Sequence, residues 1–183
     1  MLDRLDHDDA GPFAAYRLRA DVCRYQSFAP SDAGEAAGLI RSFESLEWDT
    51  PGTWFQLAVR ERGSGHLVGD VGVHFVDEDR VEIGFTIDPT HQRKGFATEA
   101  VVALLDHLFG AMAKHRVVAS VDPRNAPSVA LLEKLGMRRE AHFRQSLRFK
   151  GEWADDLVYA VLGSEWSLGR TWKSVPPSDP QSP

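Results

Sequence analysis

The residues with the most chemical content fall in one run, Gly84-Phe85-Thr86-Ile87-Asp88-Pro89-Thr90-His91-Gln92-Arg93-Lys94-Gly95-Phe96-Ala97-Thr98-Glu99. A β-rich stretch stops at Asp88-Pro89, a polar loop crosses, and an amphipathic helix opens at Gly95. The first turn of any helix presents backbone N–H groups that lack a partner within the helix, at the positive end of its dipole. Small side chains at Gly95 and Ala97 let a ligand approach that main chain, with Arg93 and Lys94 supplying positive charge. This combination suits a pyrophosphate. A Walker-type loop is excluded, because its paired glycines and closing Gly-Lys-Ser/Thr are missing. A dinucleotide fingerprint is excluded because only one glycine is present. A capped helix after a solvated basic turn accounts for the same residues, and spacing alone leaves both readings open.

Other chemistries find less support. His66, His74, His91, His107, His115 and His142 are scattered, with no H-E-x-x-H and no i, i+4 pair, so no metal site is expected. His91 stands beside the loop, where it either touches a phosphate or is simply solvated. Gly63-Ser64-Gly65 lies between two hairpin strands and is no nucleophile elbow. Cys23 is the single cysteine, which excludes an intramolecular disulfide and a cysteine metal cage, and it reads as a small core hydrophobe. Lys and Arg total 21 against 27 Asp and Glu, a formal charge of −6 that disfavours nonspecific nucleic-acid binding and is compatible with a cationic substrate. The start of the chain carries no apolar run resembling a secretory signal, and no apolar stretch is long enough for a bilayer. No nucleic-acid or membrane partner is therefore expected, and the cytoplasm is the expected compartment.

The elements that must position the loop are legible from periodicity. Asp6 and Asp9 mark a helix start with Pro12 in its first turn, and a second helix is expected from Pro30-Ser31 toward Glu47, carrying Leu39, Ile40, Phe43 and Leu46. Residues 54–60, 67–75 and 80–87 are β-rich and separated by Gly63-Ser64-Gly65 and Asp77-Glu78-Asp79, which predicts an antiparallel meander. Val101, Leu104, Leu105, Leu108, Phe109 and Met112 form a single helical stripe. A buried strand over residues 116–121 follows, then a helix over 127–135 closed by Gly136. Two long strands over 140–149 and 153–162 are joined at Lys150-Gly151-Glu152. The predicted class is α/β (α+β): one mixed sheet flanked by helices, a single domain over residues 1–168. Residues 169–183 form a proline- and serine-rich tail expected to be disordered.

Three motifs in order resemble the GNAT acetyltransferase superfamily, in its RimJ/RimL-like branch. Gln92-Arg93-Lys94-Gly95-Phe96-Ala97 is similar to the Q/R-x-x-G-x-G/A acetyl-CoA motif. Asn125-Ala126-Pro127-Ser128, continuing to Glu133-Lys134-Leu135-Gly136-Met137, resembles the branch's N-x-x-S…E-K-L-G-F stretch, with Met137 in the Phe position. Gly151-Glu152-Trp153-Ala154-Asp155 resembles its G-x-W-x-D turn, Tyr159 sits where the branch often has tyrosine, and Tyr16-Arg17 and Arg24-Tyr25 are similar to its N-terminal helix region. The resemblance spans about residues 3–166.

It implies a mixed, twisted sheet whose two central parallel strands splay into a V that holds acetyl-CoA as co-substrate, with no metal. The pyrophosphate would rest on Gln92, Arg93, Lys94, Gly95, Phe96, Ala97 and Thr98. The pantetheine would pair with Phe85, Thr86 and Ile87, and with Asn125 across the opening. The reaction implied is acetyl transfer to a primary amine, a protein N-terminus or a small molecule, by direct attack on the thioester. The alternative is a catalytically silent CoA-binding or dimerisation module. A protonated amine needs a base. Glu82 is the candidate, since alternation puts Glu82, Gly84 and Thr86 on one strand face; it is equally readable as a solvated or ion-paired carboxylate. The branch's usual acid, a tyrosine, is replaced by Leu132, which leaves Ser128, one helical turn earlier, as the hydroxyl near the cofactor sulfur. Ser128 also fits an ordinary first turn. Asp155 and Asp156 either attract a cationic acceptor or fasten the hairpin, and Trp48 and Trp54 either shape the acceptor pocket or belong to the core. A homodimer is expected from the branch and the final hairpin.

Overall fold

The computed structural model describes residues 1–168; the predicted tail, residues 169–183, lies outside the described residues. Strands β1 (Leu2–Arg4), β2 (Thr53–Arg60), β3 (Leu67–Phe75), β4 (Arg80–Ile87), β5 (Arg116–Val121), β6 (Arg138–Phe149) and β7 (Glu152–Leu162) alternate with helices. The helices are α1 (Ala10–Arg17), α2 (Ala20–Cys23), α3 (Ala33–Glu44), α4 (Phe96–Asp106), α5 (Ala126–Lys134) and α6 (Gly163–Leu168). The seven strands make one sheet in the order β1-β2-β3-β4-β5-β7-β6. Among the described residues only β4 and β5 pair in parallel. The mixed α/β class read from the sequence is what the chain adopts.

Period-two alternation sorts the meander into two faces. Phe55, Val59, Val71, Val73, Phe75, Val81, Ile83 and Ile87 point to one side and share a core with Val101, Leu104 and Leu105 of α4. The opposite face carries Ala58, which packs with Phe13 and Ala14 of α1 and with Ala36 and Ile40 of α3. Burying a side chain such as Phe13 or Leu105 contributes about 1.5–3 kcal/mol, so each helix is held by its apolar stripe. Local chemistry sets the boundaries. Asp6 and Asp9 form a reciprocal capping box that opens a short 3-10 turn before α1. Asp32, whose carboxylate accepts from the Glu35 N–H at 2.8 Å, caps α3. Lys150 and Gly151, both at positive φ, form the two-residue turn between Phe149 and Glu152.

Some elements depart from expectation. β1 and α2 were not foreseen: three and four residues are too short to show a period. The stripe predicted as one helix breaks after Asp106 into a π turn over His107–Ala111, in which Leu108 is still fully buried. Helix α3 ends at Glu44, before Leu46. Cys23 is half-buried instead of lying in the core.

The feature that matters for function is where β4 and β5 stop pairing. Their register runs Arg80↔Arg116, Val81↔Val117, Glu82↔Val118 and goes no further, although both strands continue. Beyond Glu82 the edge of β4 that faces β5 has no strand partner, and the sheet opens into the V that the resemblance implied. β3 holds the other edge of β4 closely. A Cβ on Gly69 would lie 2.3 Å from the Thr86 carbonyl oxygen and 2.7 Å from Ile87 Cδ1. Gly69→Ala must therefore push β3 from β4, and a destabilisation of about 1–3 kcal/mol is expected in urea unfolding. A loss below about 0.5 kcal/mol would contradict this close approach.

Candidate functional site

Two clefts open where the strands part, of about 630 Å³ and about 650 Å³. They share Tyr25, Gln26, Phe85, Asn125 and Ser128, so they meet at the throat of the V. One runs toward the loop at Gly95, the other toward Glu82.

The loop side is built by local hydrogen bonds. Asp88 accepts from the Thr90 N–H at 3.0 Å and starts a 3-10 turn, Pro89–His91. Burial opposes the charge on Asp88, but bonds from Thr90 and His91 outweigh it and hold the carboxyl below its ordinary range. Gln92 donates through Nε2 to the Ile87 carbonyl at 3.0 Å, which ties the loop back to β4. The chain then turns through Arg93 (φ 60°) and Gly95 (φ 91°), the latter a left-handed N-cap that only glycine adopts without cost. From residue 95 to 98 no backbone N–H reaches an acceptor among the described residues; the first that does is Glu99, donating to Gly95 O at 3.0 Å. Arg93, Gly95, Phe96, Ala97 and Thr98 line this cleft with Phe85, Thr86 and Ile87, and His91 lines it as well, its ring beside Phe96 and its Nδ1 3.3 Å from Asp88. Lys94 is exposed and lies outside the lining. Neither Arg93 nor Lys94 has a carboxylate partner among the described residues.

Across the throat, Asn125 caps α5: its carboxamide oxygen accepts from the Ser128 N–H at 3.4 Å. Ser128 is half-buried and faces both clefts, while Leu132, one turn on, is 1% exposed and lines the second. Tyr25 donates its hydroxyl to the Arg124 carbonyl at 3.3 Å and so straps the segment after α2 over the opening.

In the second cleft Glu82 stands at the last paired rung before the splay, half-buried. The register sets His74 directly opposite it on β3, with Nδ1 3.6 Å from the carboxylate. His74 in turn faces Trp54 on β2, their rings stacked at 4.6 Å and 7°. His74 was missed by the sequence reading, though the Asp77-Glu78-Asp79 turn fixes the count that places it. The two tryptophans part company. Trp48 packs edge-on against Phe55 and Phe75 in the core, whereas Trp54 is 45% exposed and lines the cleft. Asp155 fastens the hairpin, accepting from the Gln145 N–H at 2.9 Å and lying 2.7 Å from His142 Nε2; Asp156 accepts from the Ser120 hydroxyl at 2.5 Å. Both also line the cleft.

Beneath this cleft lies a buried charge pair that the sequence reading did not anticipate. Asp70 is fully buried and binds the Arg17 guanidinium, the Tyr16 hydroxyl at 2.5 Å and the Gln56 carboxamide. Arg17 also donates to the Phe28 carbonyl at 3.1 Å and to Thr86 Oγ at 3.3 Å. One guanidinium thus joins α1, the loop at Phe28, β3 and β4. Burial works against the Arg17 charge, and Asp70 more than offsets it, so the guanidinium is held above its ordinary value. Burial, and then Asp70, drive the Tyr16 phenol well up. The signal available was an aspartate within the apolar run Val68-Gly69-Asp70-Val71.

An open mixed sheet, parted at its one parallel pair with a glycine-opened helix on one side of the gap, defines an acyltransferase fold. An acetyltransferase structure of the GNAT family from Bacillus anthracis superposes with a TM-score of 0.80 at 28% identity, covering 90% of this chain and 95% of that one. The family model described as "Acetyltransferase (GNAT) domain" matches residues 1–138, and the chain belongs to that family. Over 169 residues it is 29% identical to the N-acetyltransferase p20 of Bacillus licheniformis, covering 91% of this chain and 94% of p20. It is 31% identical over 88 residues to the [ribosomal protein uS5]-alanine N-acetyltransferase of Escherichia coli, covering 48% and 45% of the two chains, which agrees with the RimJ-like resemblance. The chain is an N-acetyltransferase-type enzyme. No helix among the described residues is long and apolar enough to cross a membrane.

Proposed function

We propose that this enzyme moves the acetyl group of acetyl-CoA to a primary amine in the cytoplasm, by direct attack on the thioester. The observation that carries the reading is the coincidence of three features at one gap. The β4 edge lacks a strand partner beyond Glu82, the amides of residues 95–98 lack acceptors among the described residues, and Glu82 stands where the gap begins. The residues present fit the co-substrate. A diphosphate satisfies the orphan amides, with Arg93 close by and Lys94 near enough to add long-range attraction. The edge of β4 along Phe85, Thr86 and Ile87, on which Gln92 already holds the Ile87 carbonyl and the Thr86 carbonyl faces β3, leaves room with Asn125 opposite for the amides of the pantetheine arm.

In this reading the acceptor nitrogen adds to the thioester carbonyl, the C–N bond forms, and the C–S bond breaks. Glu82 takes one proton from the ammonium directly or through water, and the second proton that the nitrogen sheds on becoming an amide goes to the departing CoA sulfur. A β4 backbone N–H polarises the carbonyl. The thiolate of CoA leaves toward Ser128, which stands at the throat where the two clefts meet. The exposed rings of Phe143 and Trp153, one on each face of the β6–β7 hairpin at the edge of the sheet, support a homodimer through that hairpin.

Thiol release from acetyl-CoA in the presence of primary amines tests the proposal. Amine-dependent release, with the acetylated amine found by mass spectrometry, is expected. CoA binding without release on any amine would overturn it in favour of a silent CoA-binding module.

A further inference from the structure

The acceptor cleft has a floor, a wall and a charge whose combination specifies more than an amine. The strand register lays two rungs side by side on one sheet face: Trp54, His74 and Glu82, then Gln56, Gly72 and Gly84. In the second rung the backbone is open at Gly84, while Gly72 is covered by the Gln56 and Trp54 side chains. A Cβ on Gly84 would meet nothing within 4 Å, and one on Gly72 would press on Gln56 at 3.3 Å and on the Trp54 ring at 3.4 Å. Trp54 is held in one orientation by its stack on His74, and Leu39, Phe43 and Phe149 extend the apolar lining. Among the described residues the only basic side chain in the lining is Arg17, whose guanidinium is engaged by Asp70. The lining acids are Glu82, Asp122, Asp155 and Asp156. Asp122 pairs with Arg124 and Asp155 with His142, which leaves Glu82 and Asp156 with no arginine or lysine partner among the described residues.

We propose that the acceptor is a primary amine carried on a flat apolar body, of the arylalkylamine class, lying over Gly84 against Trp54 with its ammonium toward Glu82. This rests on the acetyl-transfer reading and names the substrate class for it. A ring over the Gly84 backbone beside the stacked Trp54 indole gains both burial and aromatic contact. For a polycation's additional charges only Asp156 among the remaining lining acids lacks a basic partner, and a peptide would leave backbone polar groups unpaired against Phe43 and Phe149. An acceptor with its own carboxylate would meet acids and no free cation.

The test is steady-state acetylation at saturating acetyl-CoA of 2-phenylethylamine, tryptamine, spermidine and a tetrapeptide with N-terminal alanine. Both arylalkylamines are expected to exceed the other two in kcat/KM by about 10-fold or more. Trp54→Ala, at an exposed position, and Gly84→Val, which fills the floor, are each expected to raise the 2-phenylethylamine KM about 10-fold while the acetyl-CoA KM stays within about twofold. A higher kcat/KM for spermidine or the peptide, or an arylalkylamine KM unmoved in Trp54→Ala, overturns the proposal and leaves acetyl transfer intact. Turnover of no amine at all overturns both.

Discussion

Glu82→Gln is expected to lower kcat about 10²–10⁴-fold, the range in which a positioned general base contributes, with CoA affinity unchanged. Glutamine keeps the size of the side chain and a hydrogen-bonding oxygen near His74, so the change removes basicity alone. The carboxylate lies half-buried at the end of the paired register, lining the cleft, and folding stability should move little. The deficit should also depend on pH. Alkyl amines titrate near 10 and α-amino groups near 8. Below those values the acceptor arrives protonated and needs the base; above them it arrives neutral and does not. Activity of the variant should therefore rise with pH and approach wild type as the amine's own pKa is passed. A kcat within a few-fold of wild type at neutral pH would mean that Glu82 is only a strand carboxylate paired with His74.

The second large effect is on stability. Asp70→Ala leaves the Arg17 guanidinium buried without its counter-ion and strips the Tyr16 hydroxyl and Gln56 carboxamide of an acceptor. Breaking a buried pair from one side costs about 3–5 kcal/mol, because a charge remains in the interior. Replacing both members with apolar residues of similar volume removes that charge, and such swaps are often neutral or better. Urea unfolding should thus place Arg17→Met/Asp70→Leu well above Asp70→Ala in stability. Activity should not recover with it. The double variant still lacks the bonds from Arg17 to the Phe28 carbonyl and to Thr86, which hold the acceptor-cleft loop against β4. An acceptor KM raised in a stably folded double variant is the expected signature. If the double variant unfolds as readily as Asp70→Ala, the cost lies in lost packing and not in the stranded charge.

The contrast between these two sites shows which parts of the molecule can be read from sequence. The loop at Gly95 was legible because backbone geometry limits residue choice there: a left-handed N-cap with an approachable main chain asks for glycine and small neighbours. The cleft-facing position of Glu82 was legible because alternation fixes strand faces. The Arg17–Asp70 pair joins residues 53 positions apart, and no local pattern encodes which charge meets which. Trp48 and Trp54 have the same side chain six positions apart, yet one sits in the core and the other in the cleft, because only tertiary packing distinguishes them. The π turn after Asp106 left the apolar stripe intact, so hydrophobic spacing could not reveal it. His74 was within reach, since the length of the turn before β4 sets its partner, but a histidine on a strand carries no motif of its own.

The central claim is that the unpaired amides at the start of α4 hold the diphosphate of CoA and so direct the thioester into the gap beside β4. Backbone amide chemical shifts, followed residue by residue while CoA is titrated into the labelled protein, test this most directly. The account predicts that the largest changes fall on residues 93–98, with smaller ones on Phe85, Thr86, Ile87, Asn125 and Ser128 across the throat. Amides of residues 95–98 that stay unmoved at saturating CoA, with the changes gathered instead on the β6–β7 hairpin or the face of α3, would contradict it.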